Sequence, residues 1–205
     1  PTSVWPAGEI IHDHYRIPLG EDTYTTRAWS VRVAFVDPQS GNRVPVRAGG
    51  EPSGDAAHLA LLRVPDGNPR VPTEAGDGTL NVEFGAGIRL LYADVTAMEA
   101  ESWHVDLVWE SLAPVSEDYV IFVHAYDEDG GLLATGDRPP LQGGFPTHLW
   151  EPGDRIATSH SLVPDEGTPA VIAVGLYDPA TGQRLPAASD DVPVDNDAAS
   201  IWRAP

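Results

Sequence analysis

The clearest pattern in the chain is Trp103-His104-Val105-Asp106-Leu107-Val108-Trp109-Glu110, where Val105, Leu107 and Trp109 recur at every second position. A period of two puts these three on one face of a strand and Asp106 and Glu110 on the other. The same reading predicts strands over 119–126, 132–135, 155–163, 170–177 and 199–203. Nearer the N-terminus, Trp29, Val31, Val33 and Phe35 alternate with Ser30, Arg32 and Ala34. Turn residues stand between these runs. Asp127-Glu128-Asp129-Gly130-Gly131 is one such group, and Asp-Pro-x-x-Gly occurs at both Asp37 and Asp178, with Pro setting φ and Gly accepting a positive φ. No segment carries a long helical period. Short strands punctuated by turns predict an all-β fold, an antiparallel β-sandwich of jelly-roll or immunoglobulin-like type.

The pattern also repeats. Pro1-Thr2-Ser3-Val4-Trp5-Pro6-Ala7-Gly8-Glu9 returns as Pro146-Thr147-His148-Leu149-Trp150-Glu151-Pro152-Gly153-Asp154. Val36-Asp37-Pro38-Gln39-Ser40-Gly41-Asn42-Arg43 returns as Tyr177-Asp178-Pro179-Ala180-Thr181-Gly182-Gln183-Arg184. A third match, Arg63 with Arg203, extends the series to the chain ends. Unlike residues matching in order at separated places indicate a duplication. The expected organisation is a tandem repeat with its first copy incomplete: 1–65 the second half of a sandwich, 66–79 a Pro-, Gly- and Asp-rich linker, and 80–205 a complete copy.

Composition narrows the function classes. A formal charge of −19 on 205 residues argues against nucleic acid, whose binding needs clustered basic side chains, and against an anionic membrane surface. The acidic residues are scattered, which suits a self-repelling soluble surface, with calcium capture as the alternative. All 12 basic residues are Arg, and Cys is absent, which removes disulfides and thiolate chemistry. The longest apolar run, 170–177, is strand-sized, so no membrane insertion by these residues is expected. A start at Pro1 without Met or leader reads as a processed product or fragment.

The ordered motifs Asp118-Tyr119, Phe122-Val123-His124, Asp127 to Gly130, Asp137-Arg138-Pro139-Pro140, Pro146 to Gly153 and Gly175 to Gly182 carry a resemblance. Together they resemble an extracytoplasmic β-sandwich domain appended to bacterial multispanning membrane proteins of the glycosyltransferase type. That resemblance implies a cell-surface or secreted setting. It implies no glycosyl transfer here, because the membrane-embedded catalytic part has no counterpart in these residues.

Candidate chemistry is sparse, and no nucleophile elbow, phosphate loop or metalloprotease motif is present, so a non-catalytic protein is expected. Asp106 and Glu110 share a strand face, where outward solvated carboxylates are the natural reading. His12 and His14 would share a face if their segment were a strand, and could then meet Zn²⁺ or Cu²⁺; an exposed polar strand face is the other reading. Asp127 and Asp129 open like a calcium loop but lack its downstream Glu, which favours a hairpin turn. Trp5 and Trp150, with Thr147 and Asp137 nearby in the motifs, are either stacking platforms for a glycan or caps on the sandwich end. Finally, a half sandwich presenting Trp29, Val31, Val33 and Phe35 would need covering. The cover could come from the complete copy, from other copies of the chain joined head to tail into a filament, or from a segment outside this sequence. The expected role is therefore a structural or interaction module, with glycan binding as the alternative.

Overall fold

The computed structural model describes residues 4–6, 8, 10–18, 27–64, 78–85, 87–98 and 101–204. The chain is all-β. Its C-terminal part is a sandwich of two five-stranded antiparallel sheets. One sheet holds β5 (Thr79–Phe84), β6 (Ile88–Ala97), β7 (Trp103–Ser111), β10 (Arg155–Leu162) and β12 (Ala187–Ser189), in the order β10-β7-β6-β5-β12. The other holds β8 (Val120–Tyr126), β9 (Leu132–Thr135), β11 (Val171–Tyr177), β13 (Val194–Asp195) and β14 (Ala198–Arg203), in the order β13-β14-β11-β8-β9. Thr79 belongs to β5, so the predicted linker gives up its last residue, and most of the rest lies outside the described residues. Among the described residues no helix is long and apolar enough to cross a membrane.

Alternation explains the core. Val105, Leu107 and Trp109 of β7 and Ile156 and Leu162 of β10 point inward, to meet Ile121 and Val123 of β8 and Ile172, Val174 and Leu176 of β11. Each such side chain contributes roughly 1.5–3 kcal/mol through burial. Strand β11 reads as a continuous apolar run because its outward positions are small: Ala173 and Gly175 are themselves buried. A Cβ on Gly175 would overlap the Phe122 ring and come within 2.9 Å of the Asp197 carbonyl, so the position admits no larger residue.

Two inward positions on β10 are polar, Thr158 and His160, and they are fully partnered. Trp109 Nε1 donates to Thr158 Oγ1 at 3.0 Å. His160 Nδ1 lies 2.8 Å from the Gly136 carbonyl, which can only accept, so Nδ1 carries the proton. Nε2 is then free to accept from the Thr158 hydroxyl at 3.3 Å. Neutral imidazole therefore completes the chain of donors, and an unpaired polar group here would cost about 1–3 kcal/mol.

The N-terminal part is smaller. Strands β1 (Arg27–Val33) and β4 (Ala57–Val64) pair antiparallel, and β2 (Arg47–Ala48) pairs with β3 (Glu51–Pro52) between them. Among the described residues, this unit meets the sandwich at the end of the β1–β4 pair that holds Ala28 and Arg63. Ala28 N donates to the Gly144 carbonyl at 2.7 Å. The Arg63 guanidinium bonds Asp154, reaches Glu151 at 2.7 Å and lies 5.6 Å from the Phe145 ring.

The buried imidazole gives a pH prediction. Desolvation holds the His160 pKa below its ordinary 6.5, so the unfolded chain takes up the proton first. The stability it contributes is complete above about pH 6.5 and is lost as pH falls through the folded-state value. Denaturant midpoints measured from pH 8 to 5 are expected to fall below about 6.5, and His160→Gln is expected to flatten that part of the curve.

Candidate functional site

The repeated Asp-Pro-x-x-Gly turns close with the same hydrogen bonds. Asp37 Oδ1 accepts the Gln39 amide at 2.9 Å and Oδ2 accepts the Ser40 hydroxyl at 2.7 Å. Asp178 does the same with the Ala180 amide at 2.8 Å and the Thr181 hydroxyl at 2.7 Å. These bonds favour the ionised form, so both carboxyls sit below the ordinary carboxylate range. For Asp37 the Gln39 amide is the main cause, and for Asp178 the Thr181 hydroxyl. Gly41 and Gly182 both adopt φ of 72°, the positive value the turn requires.

The strand pairs beyond these turns also correspond. Val31 and Arg32 of β1 flank a register shift against β4, and Ile172 and Ala173 of β11 flank one against β14. Val33 pairs with Ala57 as Val174 pairs with Ala199. The register therefore aligns Asp55-Ala56-Ala57 with Asp197-Ala198-Ala199 and replaces the Arg63–Arg203 match. Arg203 pairs with Val171, whereas Arg63 pairs further along, with Ala28.

The equivalence exposes a difference in burial. Val31, Val33 and Phe35 occupy the positions of Ile172, Val174 and Leu176, which are 0% exposed in the sandwich. Val33 is 42% exposed and Phe35 55%. Trp29, Leu59, Leu61 and Leu62 are exposed as well, and Val31 is half-buried. Among the described residues, the cis cover weighed above reaches the hairpin end at Arg63 and Ala28. Within the described residues β1 has β4 on one edge and no strand on the other, where β11 has β8.

Three of the candidate site residues, Trp150, Thr147 and Asp127, have structural roles. Trp150 is 1% exposed, packed in the core, with Nε1 donating to the Phe145 carbonyl at 3.0 Å. It caps the sandwich end and offers no face to a sugar. Thr147 is equally buried; its hydroxyl donates to the Glu117 carbonyl at 2.6 Å and accepts the Tyr119 amide at 2.9 Å. Asp127 Oδ1 accepts the amides of Asp129 and Gly131, at 2.9 and 2.7 Å, which makes the segment a hairpin turn. Asp129 sits in that turn, exposed.

His12 and His14 also depart from expectation, because residues 10–18 form no strand. Asp13 instead accepts the His14 amide at 3.0 Å and the Tyr15 hydroxyl at 2.7 Å, local bonds that compete with a strand ladder. Among the described residues no group of three His, Asp or Glu side chains could hold a metal. Trp5 is half-exposed and meets Phe35 edge-on at 5.9 Å between centroids. Residues 1–3, 7 and 9 of its motif lie outside the described residues.

Asp137 does join a polar assembly, with partners the sequence pattern did not single out. Phe122, His124 and Tyr126 share the outward face of β8, and the Asp137 carboxylate lies 2.9 Å from His124 Nε2. A carboxylate accepts, so Nε2 carries the proton and Nδ1 accepts from the Tyr126 hydroxyl at 3.1 Å. Arg184 lies 4.3 Å over the Phe122 ring and donates to the Asn196 carbonyl at 2.9 Å. Burial first, and then the Asp137 charge, push the nearby Tyr177 phenol above its ordinary value. The i, i+2, i+4 spacing of Phe122, His124 and Tyr126 was the available signal, but it could not reveal Asp137 or Arg184.

Trp150→Ala is expected to cost about 3–5 kcal/mol, read as a fall in the denaturant midpoint. Trp150→Phe, which removes chiefly the indole N–H bond to Phe145, is expected to cost far less. Comparison with protein families, curated proteins and solved structures found no match to this chain.

Proposed function

We propose that the protein is a non-catalytic interaction module, working outside the cytoplasm, whose N-terminal hairpin is completed by a segment of another polypeptide. One observation carries this reading. Positions wholly buried in the sandwich, at Val174 and Leu176, are matched in the hairpin by Val33 and Phe35, which remain open to water. An apolar strand face beside an unpaired edge is the surface on which strand addition occurs. The extracytoplasmic setting rests on the sequence resemblance.

The internal correspondence also says what the missing strand should look like. In the sandwich, β8 covers the edge of β11 with Val174 opposite Val123, Gly175 opposite Phe122 and Leu176 opposite Ile121. A strand of the same pattern on the β1 edge would set its Val123 counterpart opposite Val33 and its Ile121 counterpart opposite Phe35. A second repeat of this kind, on another copy of the chain or a similar one, supplies that chemistry. Joined head to tail, such contacts build the filament considered above.

A peptide spanning Asp118–Asp127, added to the intact chain, is expected to protect the amides of Arg27–Val33 from hydrogen exchange. The double variant Val33→Asp, Phe35→Asp is expected to remove that protection while leaving the melting of the sandwich unchanged. A chain that stays monomeric at high concentration and shows no protection with the peptide would overturn the reading.

A further inference from the structure

The outer face of the sheet β13-β14-β11-β8-β9 carries a groove of about 320 Å³, within the usual range for ligand sites of roughly 300–1,000 Å³. Its floor is low because Ala173 and Ala198 face outward in the middle of the sheet. Its two ends are turns: Asp127 to Gly130 between β8 and β9, and Asn196-Asp197 between β13 and β14. Asn196 and Asp197 hold φ of 48° and 57°, a left-handed pair that fixes the second turn tightly. Tyr126 forms one wall. Its hydroxyl donates to His124, itself anchored by Asp137, so the phenol oxygen is left with its lone pairs as an acceptor.

We propose that this groove binds a neutral saccharide. The rim mixes signs: Glu128 and Asp195 are exposed carboxylates, while Arg184 and Arg203 supply guanidinium donors. A cation would meet the arginines and an anion the carboxylates, and an anionic glycan would also approach a chain of charge −19. A polyhydroxylated neutral ring satisfies both, since each hydroxyl donates to a carboxylate or the Tyr126 oxygen and accepts from a guanidinium. Tyr126 lines the groove, and its ring supplies apolar surface for the C–H side of a pyranose. The groove is particular to the complete copy, because the equivalent of Ala173 in β1 is Arg32, which would fill the floor. It is therefore separate from the hairpin surface described above and from the buried Trp150.

The test is titration of the intact chain with neutral tetrasaccharides of glucose, mannose and galactose, and with a uronic acid tetrasaccharide, followed by amide chemical shifts and calorimetry. At least one neutral saccharide is expected to bind, with shifts centred on Tyr126, Ala173 and Ala198. Asp195→Asn, Glu128→Gln and Tyr126→Ala are each expected to weaken binding about tenfold, or ~1.4 kcal/mol. Tyr126→Phe preserves the ring and separates loss of the hydroxyl from loss of fold, with circular dichroism melting as the check. Val33→Asp is expected to leave saccharide affinity unchanged. No binding by any neutral member in the millimolar range, tighter binding by the uronic acid, or affinity undiminished in all the groove variants would overturn the proposal.

Discussion

A β-sheet with one apolar face is stable in water only when another layer covers that face, and most of this structure follows from that constraint. In the C-terminal sandwich the two sheets cover each other, and side chains from β7 and β10 meet those of β8 and β11 with no exposure at the central positions. The hairpin β1–β4 carries the same kind of face, with no opposing sheet among the described residues. Among the described residues, it touches the sandwich at the strand ends, through Arg63 and Ala28. The proposed interaction role is this imbalance stated as chemistry.

Polar groups in the sandwich interior obey the companion rule that a buried donor or acceptor needs a partner. Trp109, Thr158, His160 and the Gly136 carbonyl form one directional series crossing β7, β10 and the segment after β9. Trp150 and Thr147 do the same work at the sandwich end, tying the 145–150 corner to the approach to β8. The presence of Trp150 and Thr147 is explained by these bonds without appeal to a ligand.

On the outer faces the requirements relax, and the two sheets diverge. The β10-β7-β6-β5-β12 sheet shows a ladder of charges, with Glu110 between Arg89 at 3.6 Å and Arg155 at 3.3 Å. These side chains are half-buried, and the ladder neutralises Glu110 from both sides. The other sheet instead shows small residues beside aromatic ones, with Gly175 making room for Phe122 and Arg184 lying over the ring. Solvation alone does not demand such an arrangement, and it leaves an aromatic-walled groove on that face.

Alternation, apolar runs and turn residues located six of the sandwich strands from 103 onward to within a residue or so, because they report which side chains face the core and where strands stop. The short strands β12 and β13 carry too few residues to show such a pattern. Asp37 and Asp178 were equally legible, since an Asx turn is local and its bonds span at most three positions. His12 and His14 were misread because a strand needs a partner, and nothing in a run of nine residues says whether one exists. The fates of Trp5 and Trp150, alike in sequence and unlike in burial, were decided by whether a second sheet lay across them. The assembly of Asp137, His124, Tyr126 and Arg184 likewise depends on strand pairing and on loops that return over the sheet. Those contacts join residues many positions apart, and only the folded chain brings them together.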